Sequence, residues 1–436
     1  MSTPAPDDGL LRRVSRAMFW NASMLPAIMA VNLGAAVLIR RGYGLESGVY
    51  DVALGVVNTL LAHSGLGVPP TLVQFVPGLE RTGGRAAVTQ FLRRVATLRF
   101  ALLAVAVVLL NLFAGAIAEW LHLGSGGVWL LRVVSVLALL RAGSDLAVRT
   151  LQALLSHGRA NLVQLAQAVT LLGAVAWALS SGASMTALFV TLTALGAAVT
   201  VWAAAMVRRQ TRALPTPSPA PADPVTWSRF WRFALLMYML EVSHYFETPG
   251  FASPALAAAT GGAATVALFN VAFQFPMMVV VFILAGLQGV YRPLFARVMA
   301  DNDLDRVRTA FSEISKVQAA LLIPSGVGLA LLLPDYIPLL FTDRFADAVP
   351  LARILCAFIF FETLFNLGHI LLSIDHRYRI VFIANALKLV ERTMKQAPPA
   401  VDHLQIGVNE DRMAGPERAL GGSHLRQSPG NLVCKP

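Results

Sequence analysis

RAAVTQFLRRVATLRFALLAVAVVLLNLFAGAIA, residues 85–118, decides the fold. Its first half is polar and carries Arg85, Arg93, Arg94 and Arg99, whereas Phe100 through Ala118 contains no charged residue. A run of about 20 apolar residues at 1.5 Å each crosses the ~30 Å hydrocarbon core of a bilayer. No water is available there to satisfy peptide groups, so the run must be a helix. Arginines packed against one end mark the side of the membrane on which that end stays.

Outward from this stretch the same pattern recurs along the chain. Apolar segments are expected at 18–39, 47–68, 97–118, 127–148, 161–180, 184–206, 232–252, 262–290, 314–333 and 350–373. The cations fall in alternate connections. One side takes Arg12, Arg13 and Arg16, the group Arg81 to Arg99, and Arg141, Arg149 and Arg159. It also takes Arg208, Arg209, Arg212, Arg229 and Arg232, then Arg292, Arg297, Arg306, Arg308, Lys316, Arg377 and Arg379. The opposite side takes only Arg40, Arg41, Arg344 and Arg353. This asymmetry predicts a multi-pass protein of a bacterial inner membrane with its N-terminus in the cytoplasm. The longest outer connection expected is Pro334 to Pro350, too short for an outside domain.

Composition agrees: 56% of the 436 residues are hydrophobic, 14% are charged, and the mean hydropathy is +0.64, against about 25% charged in a soluble domain. The net charge of +11 does not indicate nucleic acid, because the cations sit at helix ends without aromatics interleaved for base stacking; attraction to anionic membrane lipids accounts for it. Two cysteines, Cys356 and Cys434, give neither a disulfide framework nor a metal-ligand cluster. The first apolar segment is too long for a cleaved leader. No Walker A motif, HExxH or GxSxG is present, so no cofactor, metal or enzymatic activity is expected.

Weak internal matches lie at nearly one offset. Tyr50-Asp51-Val52-Ala53 corresponds to Phe269-Asn270-Val271-Ala272, Pro77 to Pro293, Asp145 to Glu362, and Leu154-Leu155-Ser156 to Leu371-Leu372-Ser373. They predict an all-α fold of two six-helix halves in parallel topology, the arrangement that places transporter substrates between the halves. The N-terminal half is 1–210. A Pro-rich cytoplasmic linker, ALPTPSPAPADP at 213–224, lies within 211–230. The second half, 231–390, holds four spans and a partial eleventh, IVFIANALKLV, and so reads as truncated after about ten spans. Residues 391–436 are a polar tail without period, expected to be disordered. It is either a genuine soluble tail or an aberrant end that replaced two helices.

Several short motifs carry a resemblance. Gly44-Leu45-Glu46-Ser47-Gly48-Val49-Tyr50, Ser64-Gly65-Leu66-Gly67 with Val73-Gln74-Phe75-Val76-Pro77, and Ser156-His157-Gly158-Arg159 are three of them. The fourth is Leu333-Pro334-Asp335-Tyr336 with Phe345-Ala346-Asp347-Ala348-Val349-Pro350-Leu351. Over about residues 10–385 the chain resembles the Wzx-type oligosaccharide flippases of the MOP superfamily, relatives of the MATE antiporters and the lipid II flippases. The resemblance implies translocation of an undecaprenyl-diphosphate-linked oligosaccharide for lipopolysaccharide O-antigen or related polysaccharide biosynthesis, by alternating access coupled to a cation gradient. It also implies a polysaccharide polymerase and glycosyltransferases as partners. The alternatives are a MATE-type multidrug or cation antiporter, a membrane-bound oligosaccharide polymerase or ligase, and a truncated remnant that transports nothing.

Charged residues inside spans are site candidates, since each is costly without a wet cavity or a partner. Glu241, His244 and Glu247 fall on one helical face of the seventh span. They form either a proton- or sodium-coupling column or a lining paired with arginines of the other half; Glu362 joins them as a second ion-coupling candidate. Arg141 and Asp145 are spaced to neutralise each other, and Arg132 has no local partner. Under the resemblance, Arg132, Arg99 and Arg141 are expected to contact the diphosphate, because a guanidinium binds phosphate bidentately. Asn270, Gln274 and Asn366 would line a glycan-accepting cavity or make interhelical hydrogen bonds.

Overall fold

The structure is a computed structural model describing residues 8–215, 227–246, 248–260, 262–300 and 304–374. The described residues form no strand. Their helices are α1 (Asp8–Tyr43), α2 (Ser47–Gly65), α3 (Val68–Leu112), α4 (Ala114–Trp120), α5 (Gly127–Ala153) and α6 (His157–Ser180). Then come α7 (Met185–Arg212), α8 (Trp227–Tyr245), α9 (Pro249–Thr260), α10 (Ala263–Ala300), α11 (Leu304–Phe341) and α12 (Ala348–Ile374). Short 3-10 turns occupy Gly44–Glu46 and Asp343–Phe345. The partial eleventh span and the tail of the sequence reading lie outside the described residues, as does most of the Pro-rich linker.

Seven segments among the described residues are long and apolar enough to cross a membrane. Ten were expected, and the difference has local causes. The first two expected spans are present as α1 and α2, and they count as one apolar stretch, Ser23–Gly65, because only the tight turn at Gly44–Glu46 separates them. The seventh is split: α8 stops at Tyr245 and α9 begins at Pro249. Tyr245 holds this break, donating its hydroxyl to the Gly250 carbonyl at 3.1 Å while its own carbonyl accepts from Thr248 Oγ1 at 2.8 Å. In α12 the described apolar part is Ala348–Phe360.

Within Val68–Leu112 the helix breaks at Gly84, φ 55 and ψ −151, and the basic stretch 85–94 opens the second helical segment that leads into the apolar run. That conformation is open to glycine and strained for other residues. The opposite connection is also shorter than expected. Helix α11 continues past Pro334 to Phe341, leaving only a short turn before α12.

What carries α11 through its prolines is a set of side chains from neighbouring helices. Pro334 has no N–H to offer the carbonyl four residues back, that of Ala330. Arg353 Nε of α12 donates to that carbonyl at 3.1 Å. At the C-terminal end, where helical carbonyls lack partners, Arg41 of α1 donates to Leu340 O at 2.9 Å and Leu339 O at 2.6 Å. Helices α11 and α12 are also tied in both directions, Gln318 Nε2 of α11 donating to Thr363 O of α12 at 2.8 Å and Cys356 Sγ of α12 to Gly326 O of α11 at 3.5 Å. Arg41 and Arg353 are therefore helix-supporting donors as well as cations of the sparsely charged side.

Small residues on α2 let other backbones approach closely, as is common between membrane helices. A β-carbon at Gly48 would overlap the Ala263 carbonyl of α10, and one at Gly55 would lie 2.5 Å from Pro254 Cδ of α9. The main buried clusters lie among α2, α5, α6 and α7, among α10, α11 and α12, and between α3 and α8.

Two outcomes are expected. In detergent, Arg353→Ala should cost about 1 kcal/mol in the natural background and less than half of that beside Pro334→Ala, which returns the missing N–H. Equal costs in a denaturation double-mutant cycle would remove the carbonyl-supporting role. Gly48→Ala should lower stability by roughly 1–3 kcal/mol through overpacking, whereas Gly173→Ala, with open space around it, should be neutral or better by up to about 1 kcal/mol.

Candidate functional site

A cavity of about 720 Å³ opens among α1, α2, α5, α10 and α12. Its polar lining comes from Asn32 and Arg40 of α1, Tyr50 and Asp51 of α2, Arg141 of α5, Thr248 in the break before α9, Asn270 and Gln274 of α10, and Thr363 of α12. Met29, Leu54, Phe273 and Met277 are among its apolar walls. Such a volume suits a medium-sized ligand or one end of a larger one.

Arg40 is the most enclosed charge of this lining, only 3% exposed. Its Nη2 lies 2.6 Å from Asp51 Oδ2, and its Nη1 donates to Ser47 Oγ at 2.6 Å. Ser47 Oγ in turn donates to Gly44 O at 2.6 Å, so the turn between α1 and α2 orients the guanidinium. Arg40 Nε has no hydrogen-bond partner, and the approach to Asp51 Oδ2 is an ion pair without hydrogen-bond alignment. Spare capacity of this kind, in a buried pair facing a cavity, is costly unless a ligand or water uses it.

A second cavity of about 450 Å³ lies among α1, α5, α6 and α7, lined by Asn32, Arg141, Ser144, Asp145, Gln164, Gln167 and Thr200. Arg141 and Asn32 border both cavities. The expected pairing of Arg141 with Asp145 is not what the structure holds. Asp145 Oδ2 lies 2.8 Å from Arg99 Nη2, and Asp145 Oδ1 lies 3.6 Å from Arg149 Nε. Arg141 makes no ion pair with any described acid and is left facing the cavities.

The candidates from the sequence therefore separate. Arg141, Asn270 and Gln274 line the larger cavity, with Asn270 Nδ2 donating to Ser253 Oγ at 2.8 Å and Val266 O at 3.0 Å. Arg99 is buried against Asp145 with Nε and Nη1 unpartnered, outside both cavity linings. Arg132 is exposed on α5 and borders neither cavity. Glu241 of α8 lies near Arg149, Asp145 and Arg99 and is not among the lining of either cavity. His244, Asn366 and Glu362 sit on helices whose side chains at those positions lie outside the described part, and Glu247 lies outside the described residues. Among the described residues no cluster suited to a metal ion occurs.

Sequence reasoning missed Arg40 and Asp51 because it placed Arg40 in a connection. The available signal was Asp51 itself, an acid in the first turns of an apolar helix. Its burial requires a nearby cation, and Arg40 is eleven residues away across one tight turn.

A family model described as polysaccharide biosynthesis protein matches residues 46–350. Among solved structures, the chain is similar to the lipid II flippase MurJ in an inward closed conformation, with TM-score 0.61 and 15% identity over 85% of this chain and 78% of that one. It is also similar to a multidrug resistance MATE family transporter of the MOP superfamily. The inward-facing form gives TM-score 0.60 and 14% identity over 81% of this chain and 83% of that one. The outward-facing form gives TM-score 0.55 and 15% identity over 85% and 83%. No curated protein matches the sequence. At these identities the structural likeness establishes the fold, that of MOP superfamily transporters, and with its seven apolar segments the chain is a multi-pass membrane protein. By the match over most of its length, it belongs to the polysaccharide biosynthesis protein family.

Proposed function

We propose that this protein is a flippase that carries an undecaprenyl-diphosphate-linked oligosaccharide from the cytoplasmic to the periplasmic leaflet of a bacterial inner membrane. The observation that carries this reading is the charge of the larger cavity. Its described lining holds two arginines, Arg40 and Arg141, against one acid, Asp51. A membrane cavity with excess positive charge favours an anionic ligand and disfavours the cationic substrates of an antiporter reading. Arg141 supplies an uncommitted guanidinium for the diphosphate, and Arg40 supplies its free Nε. Asn32, Asn270, Gln274 and Thr363 offer hydrogen bonds to sugar hydroxyls. The polyprenyl chain stays in lipid, outside the cavity.

The driving ion enters, in this reading, at the cluster of Arg99, Asp145, Arg149 and Glu241. Glu241 comes from α8, beyond the linker, and the other three from α3 and α5. A proton or sodium ion on Glu241 removes its attraction to the arginines and frees α8 to move relative to α3 and α5.

Complementation tests both parts. In a bacterium lacking its own relaxed-specificity flippase, the natural chain should restore surface polysaccharide. Arg141→Ala, inserted at normal levels, should reduce export by roughly tenfold or more, the loss of one charged hydrogen bond. Full export by Arg141→Ala would end the proposal that this residue holds the anionic group. Glu241→Gln should make residual export insensitive to collapse of the ion gradient; unchanged sensitivity would remove Glu241 from coupling.

A further inference from the structure

A third cleft lies away from the two cavities, where the beginning of α8 crosses α3. It measures about 500 Å³ and is lined by Gln74 and Phe75 of α3 and by Ser228, Arg229, Arg232 and Phe233 of α8, with Leu236 at its far end. Its polar groups are two guanidiniums, a carboxamide and a hydroxyl, and no carboxylate borders it. Both arginines are exposed, and neither is paired with a described acid. Arg229 lies with its guanidinium carbon 5.9 Å from the Phe75 ring centroid, which holds the cation over an apolar floor without neutralising it.

The surroundings of the cleft are graded. On the polar side Trp227 and Trp231 stack at 6.2 Å between centroids, and Trp227 is 52% exposed. An exposed tryptophan beside arginines is the composition of a membrane helix at headgroup level. One to two turns further along α8, Leu235 and Met239 are exposed, and Val73 is exposed on α3 beside Gln74. These apolar side chains are exposed on the same two helices that line the cleft. A cationic cleft beside exposed apolar side chains matches an amphiphile with an anionic head and acyl chains.

We infer that this cleft is a binding site for an anionic phospholipid, its phosphodiester held by Arg229 and Arg232 with hydrogen bonds from Gln74 and Ser228, and its acyl chains lying along Leu235, Met239 and Val73. Because α3 and α8 both contribute, the lipid acts as a bridge between them and favours the arrangement in which the cleft is formed. The site is on the same membrane face as the connection joining α7 to α8.

The experiment uses the full chain in nanodiscs of phosphatidylcholine with increasing phosphatidylglycerol, with thermal unfolding as the readout. Phosphatidylglycerol should raise the midpoint, and inorganic phosphate at matched concentration should not. The double variant Arg229→Gln/Arg232→Gln should need roughly tenfold more phosphatidylglycerol for half the shift, two surface cations being lost. The control Arg208→Gln/Arg209→Gln, which removes the same charge from exposed sites at the end of α7, should respond like the natural chain. Gln74→Glu keeps both arginines and places a carboxylate against the headgroup; this exposed single substitution is also expected to lose the response. Equal responses in all variants, retention of the full response by Gln74→Glu, or an equal shift from inorganic phosphate alone would each overturn the inference.

Discussion

Inside a bilayer every donor and acceptor that a helix does not use must find its partner in the protein, and here arginine side chains repeatedly supply it. Proline and helix ends leave carbonyls open in α11, and Arg353 and Arg41 close them. The turn between α1 and α2 buries a cation, and Asp51 and Ser47 answer it. Asp145 lies between Arg99 and Arg149. A guanidinium serves these roles because it stays charged at any accessible pH and projects several donors in a fixed plane. A lysine would present a strongly hydrated point charge and lose more by leaving water.

This constraint also identifies what is free to act. Once Arg40, Arg41, Arg99, Arg149 and Arg353 are assigned to acids or carbonyls, Arg141 stands out. It is partly buried, faces two cavities and has no acid among the described residues. A cation in that position costs free energy in the empty protein, offset by water or by a ligand. Under the proposed flippase reading, binding an anion there would be favoured partly because the empty state is poor, so the cavity would gain selectivity without a deep pocket.

The fold was legible in the sequence to the extent that it follows from hydrophobic length. Spans over α1, α3, α5, α6, α7, α10 and α11 could be read from apolar runs, because lipid leaves a long apolar run one option. Where elements depend on partners distant in sequence, the reading failed. That α11 continues through Pro334 depends on Arg353, and that it is finished at Phe341 depends on Arg41, about 300 positions earlier. The break after Tyr245 depends on a hydroxyl bonded across it to Gly250. Within the site, Arg141, Asn270 and Gln274 were visible as polar residues in apolar helices, and the structure places all three on one cavity. The partner of Asp145 was not visible, since helical spacing offers Arg141 and Arg149 equally, and the nearest cation, Arg99, comes from another helix.

The same distinction explains why the alternating charge pattern is a reliable guide to class and a poor guide to role. A cation count by connection treats Arg40, Arg41, Arg344 and Arg353 as one small group on one side. In the folded chain one of them is buried against Asp51, two hold carbonyls, and the fourth approaches Gly44 at the turn that orients the first. Three of the four thus have a specific acceptor in the protein, whereas Arg208, Arg209, Arg229 and Arg232 of the other group are exposed and form no ion pair with a described acid. Exposed cations are available to lipid headgroups, and committed ones fix the helices that shape the cavity. The count by connection therefore does not set the role: Arg99 and Arg149 of the crowded group are committed to Asp145 as Arg40 is to Asp51, while Arg229 and Arg232 of the same group remain open to the membrane surface.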